Sequence, residues 1–212
     1  MPRPSKALLS RERIVATAAM LIDTEGLTAF STRRLATELG VRGPSLYNHF
    51  ATKDEILDAV ADTIIAEVDV SFFGTHEWRE ALRLWALSYR RALLAHPNIV
   101  PYLAQGPGRR PASLRMADAV YGGLVDAGWP PAKATHIGAL MRYLVTGSTL
   151  GSFAKGFIED PALYDGHPHL GQAHRLAEHQ RSVDDGAFAL GLDALIDGLS
   201  HAYGNVARPM DR

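Results

Sequence analysis

The side chains with most to offer chemically cluster near the start of the chain. Pro44-Ser45-Leu46-Tyr47-Asn48-His49-Phe50 reads as a short helix with proline in its first turn, where a missing N–H leaves no bond unmade. Leu46 and Phe50, four apart, share one side of it; Ser45, Asn48 and His49 fall largely on the other, with Tyr47 at the margin. That outer face carries hydrogen-bonding groups of the base-reading or phosphate-binding kind. Asn48 suits adenine, Arg33 or Arg42 suits a bidentate contact with guanine, and Pro44 offers an apolar edge to a thymine methyl. Lys53 sits in the first turn of the following helix, where a cation opposes the helix dipole at a cost of about 0.3–1 kcal/mol. With the amides of that helix start it makes an anion site suited to a phosphate, and Thr32 offers a second clamp; taken alone, Lys53 is equally an ordinary surface lysine.

These groups need short helices to hold them. Val15, Ala18, Ala19 and Ile22 recur at helical spacing between Ser10, a suitable N-cap, and Gly26, a suitable stop. Ser31 caps a second helix, Thr32 to Leu39, with Leu35, Ala36 and Leu39 inward and Gly40 at its end. A turn of about four residues then leads to the Pro44 helix, so two short helices flank a turn as in a helix-turn-helix, whose second helix enters the major groove of DNA. Thr52 and Glu55 form a capping box for a fourth helix, whose stripe of Ile56, Leu57, Val60, Ile64, Ile65 and Val68 runs to Ser71.

Charge agrees with an anionic partner at this end only. Net charge is -1 over the 212 residues, yet residues 1–53 hold eight basic groups, Arg3, Lys6 and Arg11 among them, against four acids. The remaining residues are net acidic. Each cation laid against a phosphate releases condensed counterions, so a positive head on an acidic body fits nucleic acid at the head. The chain has no cysteine, which rules out disulfides, thiolate nucleophiles and cysteine-ligated zinc. No apolar stretch is long enough to span a bilayer and Met1 to Ser10 lacks a signal-peptide core, so a cytoplasmic protein without a membrane partner is expected.

Beyond Gly74 the pattern is helical throughout: about Glu77 to Ala95, a short piece from Ile99 to Gln105, Ser113 to Asp126, Pro131 to Lys155, a polar helix ending at Arg181, and a last apolar helix from Asp185 to Tyr203. Gly106 to Pro111 is a breaker-rich loop, and Gly156 to Gly171 is irregular. The fold class is all-α. Trp85, Tyr89, Tyr102, Met116, Tyr121 and Tyr143 supply large side chains for a small-molecule pocket, with His136 and Arg142 as polar handles; core packing is the ordinary use of such residues. Ile137, Leu140, Met141, Leu144 and Val145, with Phe188, Leu190, Leu192, Leu195, Ile196 and Leu199, fit either a four-helix dimer interface or burial within one chain. His167, His169, His174 and His179 lack metal-ligand spacing, and no metal or other cofactor is expected. No nucleophile elbow, P-loop or dinucleotide fingerprint occurs, so no enzyme is expected.

Phe30-Ser31-Thr32-Arg33-Arg34-Leu35-Ala36, Gly40-Val41, Pro44 to Phe50 and Lys53 resemble the head of the TetR family of repressors, over about residues 10–60. More faintly, Trp78-Arg79 to His96-Pro97 and Gly128 to Gly151 are similar to the tetracycline-repressor type of carboxy-terminal domain. The resemblance implies an all-α homodimer in which residues 1–53 bind a palindromic double-stranded DNA operator and residues 54–212, led by a connecting helix over 54–71, bind a small-molecule inducer and dimerise. It implies DNA contacts from Thr32, Arg33, Arg42, Gly43, Pro44, Ser45, Tyr47, Asn48, His49 and Lys53. Arg42-Gly43 in the turn departs from the family pattern and alters the sequence to be read. The rival reading is a small-molecule binding or sequestering protein whose head is vestigial.

Overall fold

In a computed structural model the described residues are 9–105 and 110–206, and among them every regular element is helical. The α-helices are α1 (Arg11–Glu25), α2 (Thr32–Leu39), α3 (Gly43–Tyr47), α4 (Lys53–Ile65), α5 (Trp78–Ala95), α6 (Val100–Leu103), α7 (Pro111–Asp126), α8 (Pro131–Gly147) and α9 (Gln180–Val206). Short 3-10 helices cover Ser71–Gly74, Pro97–Ile99, Phe153–Gly156, Pro161–Tyr164 and Ala173–His179. Arg3, Lys6 and the glycine-rich part of the 106–111 loop lie outside the described residues.

The described residues form two compact units, one within 1–66 and 98–114, the other within 67–97 and 115–212. In the first unit each helix start is fixed by a local hydroxyl. Ser10 and Ser31 Oγ accept from the amides of Arg13 and Arg34, both at 3.2 Å, and Thr52 Oγ1 accepts from Glu55 N at 3.1 Å. The Glu55 carboxylate returns to the amide of Ala51 at 2.7 Å, one residue before the partner a standard box would use. Gly26 and Gly40 follow α1 and α2 with φ of 87° and 67°, positive values that a Cβ disfavours. Helix α4 packs on α1, and α2 packs on α1 and α3. Ile14, Leu21, Leu35, Leu46, Phe50 and Ile56 are buried together with Val60 and Ile64. In α1 the inward side is Ile14, Ala18, Leu21 and Ile22, while Val15 and Ala19, expected inside, are half-exposed at its edge.

The excursion 98–114 is stitched to this unit by polar bonds. Asn98 Nδ2 donates to the Ile22 and Asp23 carbonyls, each at 3.0 Å, at the C-terminal end of α1. Tyr102 OH donates to Asp58 Oδ1 at 3.0 Å, and Ala112 N donates to Asp62 Oδ1 at 2.6 Å, both acceptors on α4.

In the second unit α5 packs against α8 and α9. Trp78, Trp129 and Tyr203 stack with ring centroids 5.1–5.4 Å apart, and Tyr203 OH donates to the Ala127 carbonyl. Basic side chains of α5 pair with acids of α9: Arg83 with Asp193, and Arg90 with Asp185 at 2.8 Å.

Four helix ends differ from the sequence expectation. Helix α3 stops at Tyr47, short of Phe50; Asn48 and His49 form the turn after it, and Phe50 N still donates to the Leu46 carbonyl at 3.0 Å, which keeps Phe50 on the inward side. Helix α4 stops at Ile65, short of Ser71, and the chain then turns around Asp69, whose carboxylate accepts from both Ser71 N and Ser71 Oγ. Helix α8 stops at Gly147, short of Lys155, where Ser148 Oγ and Thr149 Oγ1 turn back on the carbonyls of Val145 and Thr146 at 2.8 and 2.9 Å. The two segments expected around 172–203 are a 3-10 stretch and one unbroken 27-residue helix from Gln180.

Candidate nucleic-acid interface and effector recess

Helix α3 is anchored by what it buries. Leu46 and Phe50 are 1% and 2% exposed, so the opposite side of the helix must face outward. Pro44, Tyr47 and Asn48 are exposed and Ser45 and His49 half-buried, while Arg42 is the N-cap of α3 and Gly43 its first residue. Tyr47 is 54% exposed, a large aromatic ring held in solvent by its helix position. Thr32 and Arg33 open α2 and Lys53 opens α4, all three at helix N-terminal ends, where free amides favour an anion.

Two arginines of the head act on the protein itself. Arg34 lies 2.7 Å from Glu25 and 2.8 Å from Glu38, tying α1 to α2, and these carboxylates hold its guanidinium more firmly charged. Arg33 is left on the exposed side. Arg11 donates to the His49 carbonyl and lies 3.9 Å over the Phe50 ring, pinning the end of α3. Sequence reading counted Arg11 only as charge, because its partners are 38 residues away and leave no local signal.

In the second unit four of the expected pocket residues meet. Trp85, Met116, Tyr121 and Arg142 line one recess with Ala117, Val120 and Gly138, about 40 Å³ in volume. Trp85 Nε1 is buried there without a hydrogen-bond partner. Gly138 makes room for Tyr121: a Cβ at that position would lie 2.3 Å from Tyr121 Cε1. Tyr89 is buried behind, its ring 5.9 Å from Trp85. The other three expected residues lie elsewhere. Tyr102 belongs to the first unit, because its hydroxyl goes to Asp58; His136 is exposed on α8; Tyr143 is 69% exposed on the outer side of the same helix.

The stripes of α8 and α9 divide. Ile137, Met141, Val145, Phe188, Leu192 and Ile196 are buried within the unit, whereas Leu140, Tyr143 and Leu190 are 44%, 69% and 73% exposed. Of the histidines between the two helices, His167 and His179 place Nδ1 near backbone carbonyls, and among the described residues no group of three His, Asp or Glu is spaced to hold a metal. No described helix is long and apolar enough to cross a membrane.

A buried-core helix-turn-helix with polar residues on its outer face, followed by a helical body with an aromatic recess, defines a DNA-binding regulator of transcription. Residues 14–60 match the bacterial regulatory proteins of the tetR family, and residues 73–203 match the tetracyclin repressor-like C-terminal domain. The chain belongs to the TetR family. It is 31% identical to the class E tetracycline repressor protein of Escherichia coli over 92% of each chain. Its fold is similar to that of ActR from Streptomyces coelicolor in complex with actinorhodin, at 30% identity, TM-score 0.76, and coverage of 93% of this chain and 100% of ActR. It is also similar to BioQ of Mycobacterium smegmatis, at 27% identity, TM-score 0.69, and coverage of 92% and 99%; BioQ has been solved with its double-stranded DNA operator as well.

Proposed function

We propose that the protein is a ligand-responsive repressor that binds a palindromic operator as a homodimer in the cytoplasm and leaves it when a small-molecule inducer enters the body. The observation that carries the reading is the outer face of α3 and its two caps, where Tyr47 and the C-cap Asn48 are exposed beside Pro44 and the N-cap Arg42, with Leu46 and, just past the helix, Phe50 buried behind them. Thr32 and Lys53 bind flanking phosphates; Arg33, Arg42, Pro44, Ser45, Tyr47, Asn48 and His49 meet base edges or backbone, and Gly43 lets the turn approach closely. DNA contact is assigned to residues 1–53 and effector sensing and dimerisation to 54–212, with 54–71 as the connector. The outward apolar side chains Leu140, Tyr143 and Leu190 suit a second copy, which would hold two α3 helices about 34–36 Å apart, or a multiple, along one DNA face.

The effector site is the recess at Trp85. An inducer with a carbonyl or hydroxyl oxygen satisfies Trp85 Nε1, Arg142 gives a second polar contact, and Tyr89, Met116 and Tyr121 supply the apolar walls. About 40 Å³ is far below the roughly 300–1,000 Å³ of a drug-sized site, so the inducer binds by pushing Tyr121 and Met116 apart. That displacement is what gives it different affinities for two body shapes, without which no ligand shifts an equilibrium. ActR, a relative of similar fold, has been solved in complex with actinorhodin, which supports a small-molecule inducer here. Selection of bound sequences from a random duplex library at about 150 mM salt, where non-specific binding is suppressed, tests the regulator. A palindrome lost in Asn48→Ala supports it; recovery of no sequence, or of the same sequences by Asn48→Ala and the parent, points to a vestigial head.

A further inference from the structure

The body contains a second, larger recess of different chemistry. Arg90, Ser152, Lys155, Arg181, Asp184 and Asp185 line a cleft of about 510 Å³ between the end of α5 and the start of α9, with Leu94 and Pro97 at one edge. Its volume lies within the range of sites that hold small organic molecules. None of the residues lining the Trp85 recess reaches it.

Two polar atoms in this wall lack a use within the fold. Arg90 has a side chain only 11% exposed; one end donates to Asp185 and its plane lies 4.5 Å over Phe188, yet Nε is buried with no hydrogen-bond partner. Ser152 Oγ is likewise buried and unpartnered. Buried N–H and O–H groups are nearly always satisfied, so two orphans lining one cleft mark where a ligand's acceptors belong. Arg90 and Asp185 neutralise one another, leaving exposed Lys155 and Arg181 against the single carboxylate of Asp184, a surplus of one positive charge.

We propose that this cleft is a second effector site, selective for a small organic carboxylate with an apolar body. The carboxylate takes Arg90 Nε and Ser152 Oγ as donors and Lys155 and Arg181 as counter-charges, since hydrogen bonds to an ionised acceptor are roughly twice as strong as neutral ones. The apolar body lies toward Leu94 and Pro97. The site is independent of the DNA reading, and its test measures binding directly.

Calorimetric titration of the full chain with benzoate, benzamide and benzylamine compares three molecules of one shape and different charge. Benzoate should bind at least tenfold more tightly than benzamide, and benzylamine not at all. Lys155→Gln and Arg181→Gln are surface changes that leave the melting temperature nearly unaltered, and each should weaken benzoate about fivefold to tenfold. Met116→Trp, which fills the Trp85 recess, should leave benzoate binding unchanged. Equal binding of benzamide, preference for benzylamine, indifference to both glutamine variants, loss in Met116→Trp, or no heat with any of the three each overturns the proposal.

Discussion

The head and the body use large side chains in opposite ways. In the head, Tyr47 and Asn48 are held outside and the interior under α3 is reduced to Leu46 and, just past the helix, Phe50; in the body, Trp85, Tyr89 and Trp129 are inside while Leu140 and Tyr143 stand exposed on α8. The head is built to present fixed groups to a rigid partner, so its helix ends are pinned by Ser10, Ser31 and Thr52 within a few residues of each start. The body encloses a recess of only about 40 Å³, so on the effector reading proposed above it must open to admit a ligand. A DNA face gains from rigidity, because ordering costs are met before binding; an effector site that reports binding must change shape.

The largest test of this contrast pairs two core deletions of similar cost. Phe50→Ala and Leu82→Ala each remove a side chain no more than 2% exposed and should lower stability by about 3–5 and 2–5 kcal/mol respectively in urea unfolding. Phe50→Ala should also abolish operator binding where the chain is still folded, since α3 and the Arg11 contact lose their base; Leu82→Ala should spare it. Equal loss of DNA affinity from both would erase the division of labour. Next in size come the contacts themselves. Asn48→Ala should cost about 1–3 kcal/mol on the selected operator and relax choice at one or two base positions, while Lys53→Ala should weaken all sequences alike and reduce the salt slope by about one. Anisotropy titrations over a salt series separate the two.

Legibility in the sequence followed the range of the interactions. Caps and stops such as Ser31, Thr52 and Gly40 act within four residues and were readable, as was the inward pairing of Leu46 with Phe50. Four of the eight expected residues, Trp85, Met116, Tyr121 and Arg142, line one recess, the first three because a long aromatic or methionine in an amphipathic helix turns inward. Tyr102 was misplaced because its partner, Asp58, is 44 residues away, and Arg11 was overlooked for the same reason. Helix α8 was read too long because Gly147 and Ser148 do not break the apolar period; the back-bonded hydroxyls of Ser148 and Thr149 end it. The polar helix expected up to Arg181 is a 3-10 stretch, Ala173–His179, and α9 begins at Gln180, five residues before Asp185, the partner of Arg90.

Smaller effects sharpen the body side of the comparison. In an open helix Gly→Ala stabilises by about 0.8–1 kcal/mol. At Gly138 the added methyl would meet Tyr121 at 2.3 Å, so overpacking of about 1–3 kcal/mol should win and Gly138→Ala should melt lower. On the effector reading proposed above it should change inducer affinity as well, since the added methyl displaces Tyr121 in the wall of the recess. A variant that melts higher with unaltered inducer response shows that Tyr121 moves freely and does not gate the recess.

The smallest effect tests the stitching of residues 98–114 to α4. Burial and then the hydrogen bond to Asp58 push the Tyr102 phenol up to about 12, above the roughly 10 of an unfolded tyrosine. The folded chain therefore keeps a proton that the unfolded chain releases between those values. The stability gained from the shift is present in full below about pH 10 and is lost as pH rises toward about 12. Tyr102→Phe should cost about 0.5–1.5 kcal/mol at pH 8, and that cost should shrink as pH climbs from 10 to 11.5. Other tyrosines and lysines titrate in both proteins and cancel in the difference. A cost independent of pH means that the Tyr102 ring contributes packing alone, and that Asn98 and Ala112 hold the segment without it.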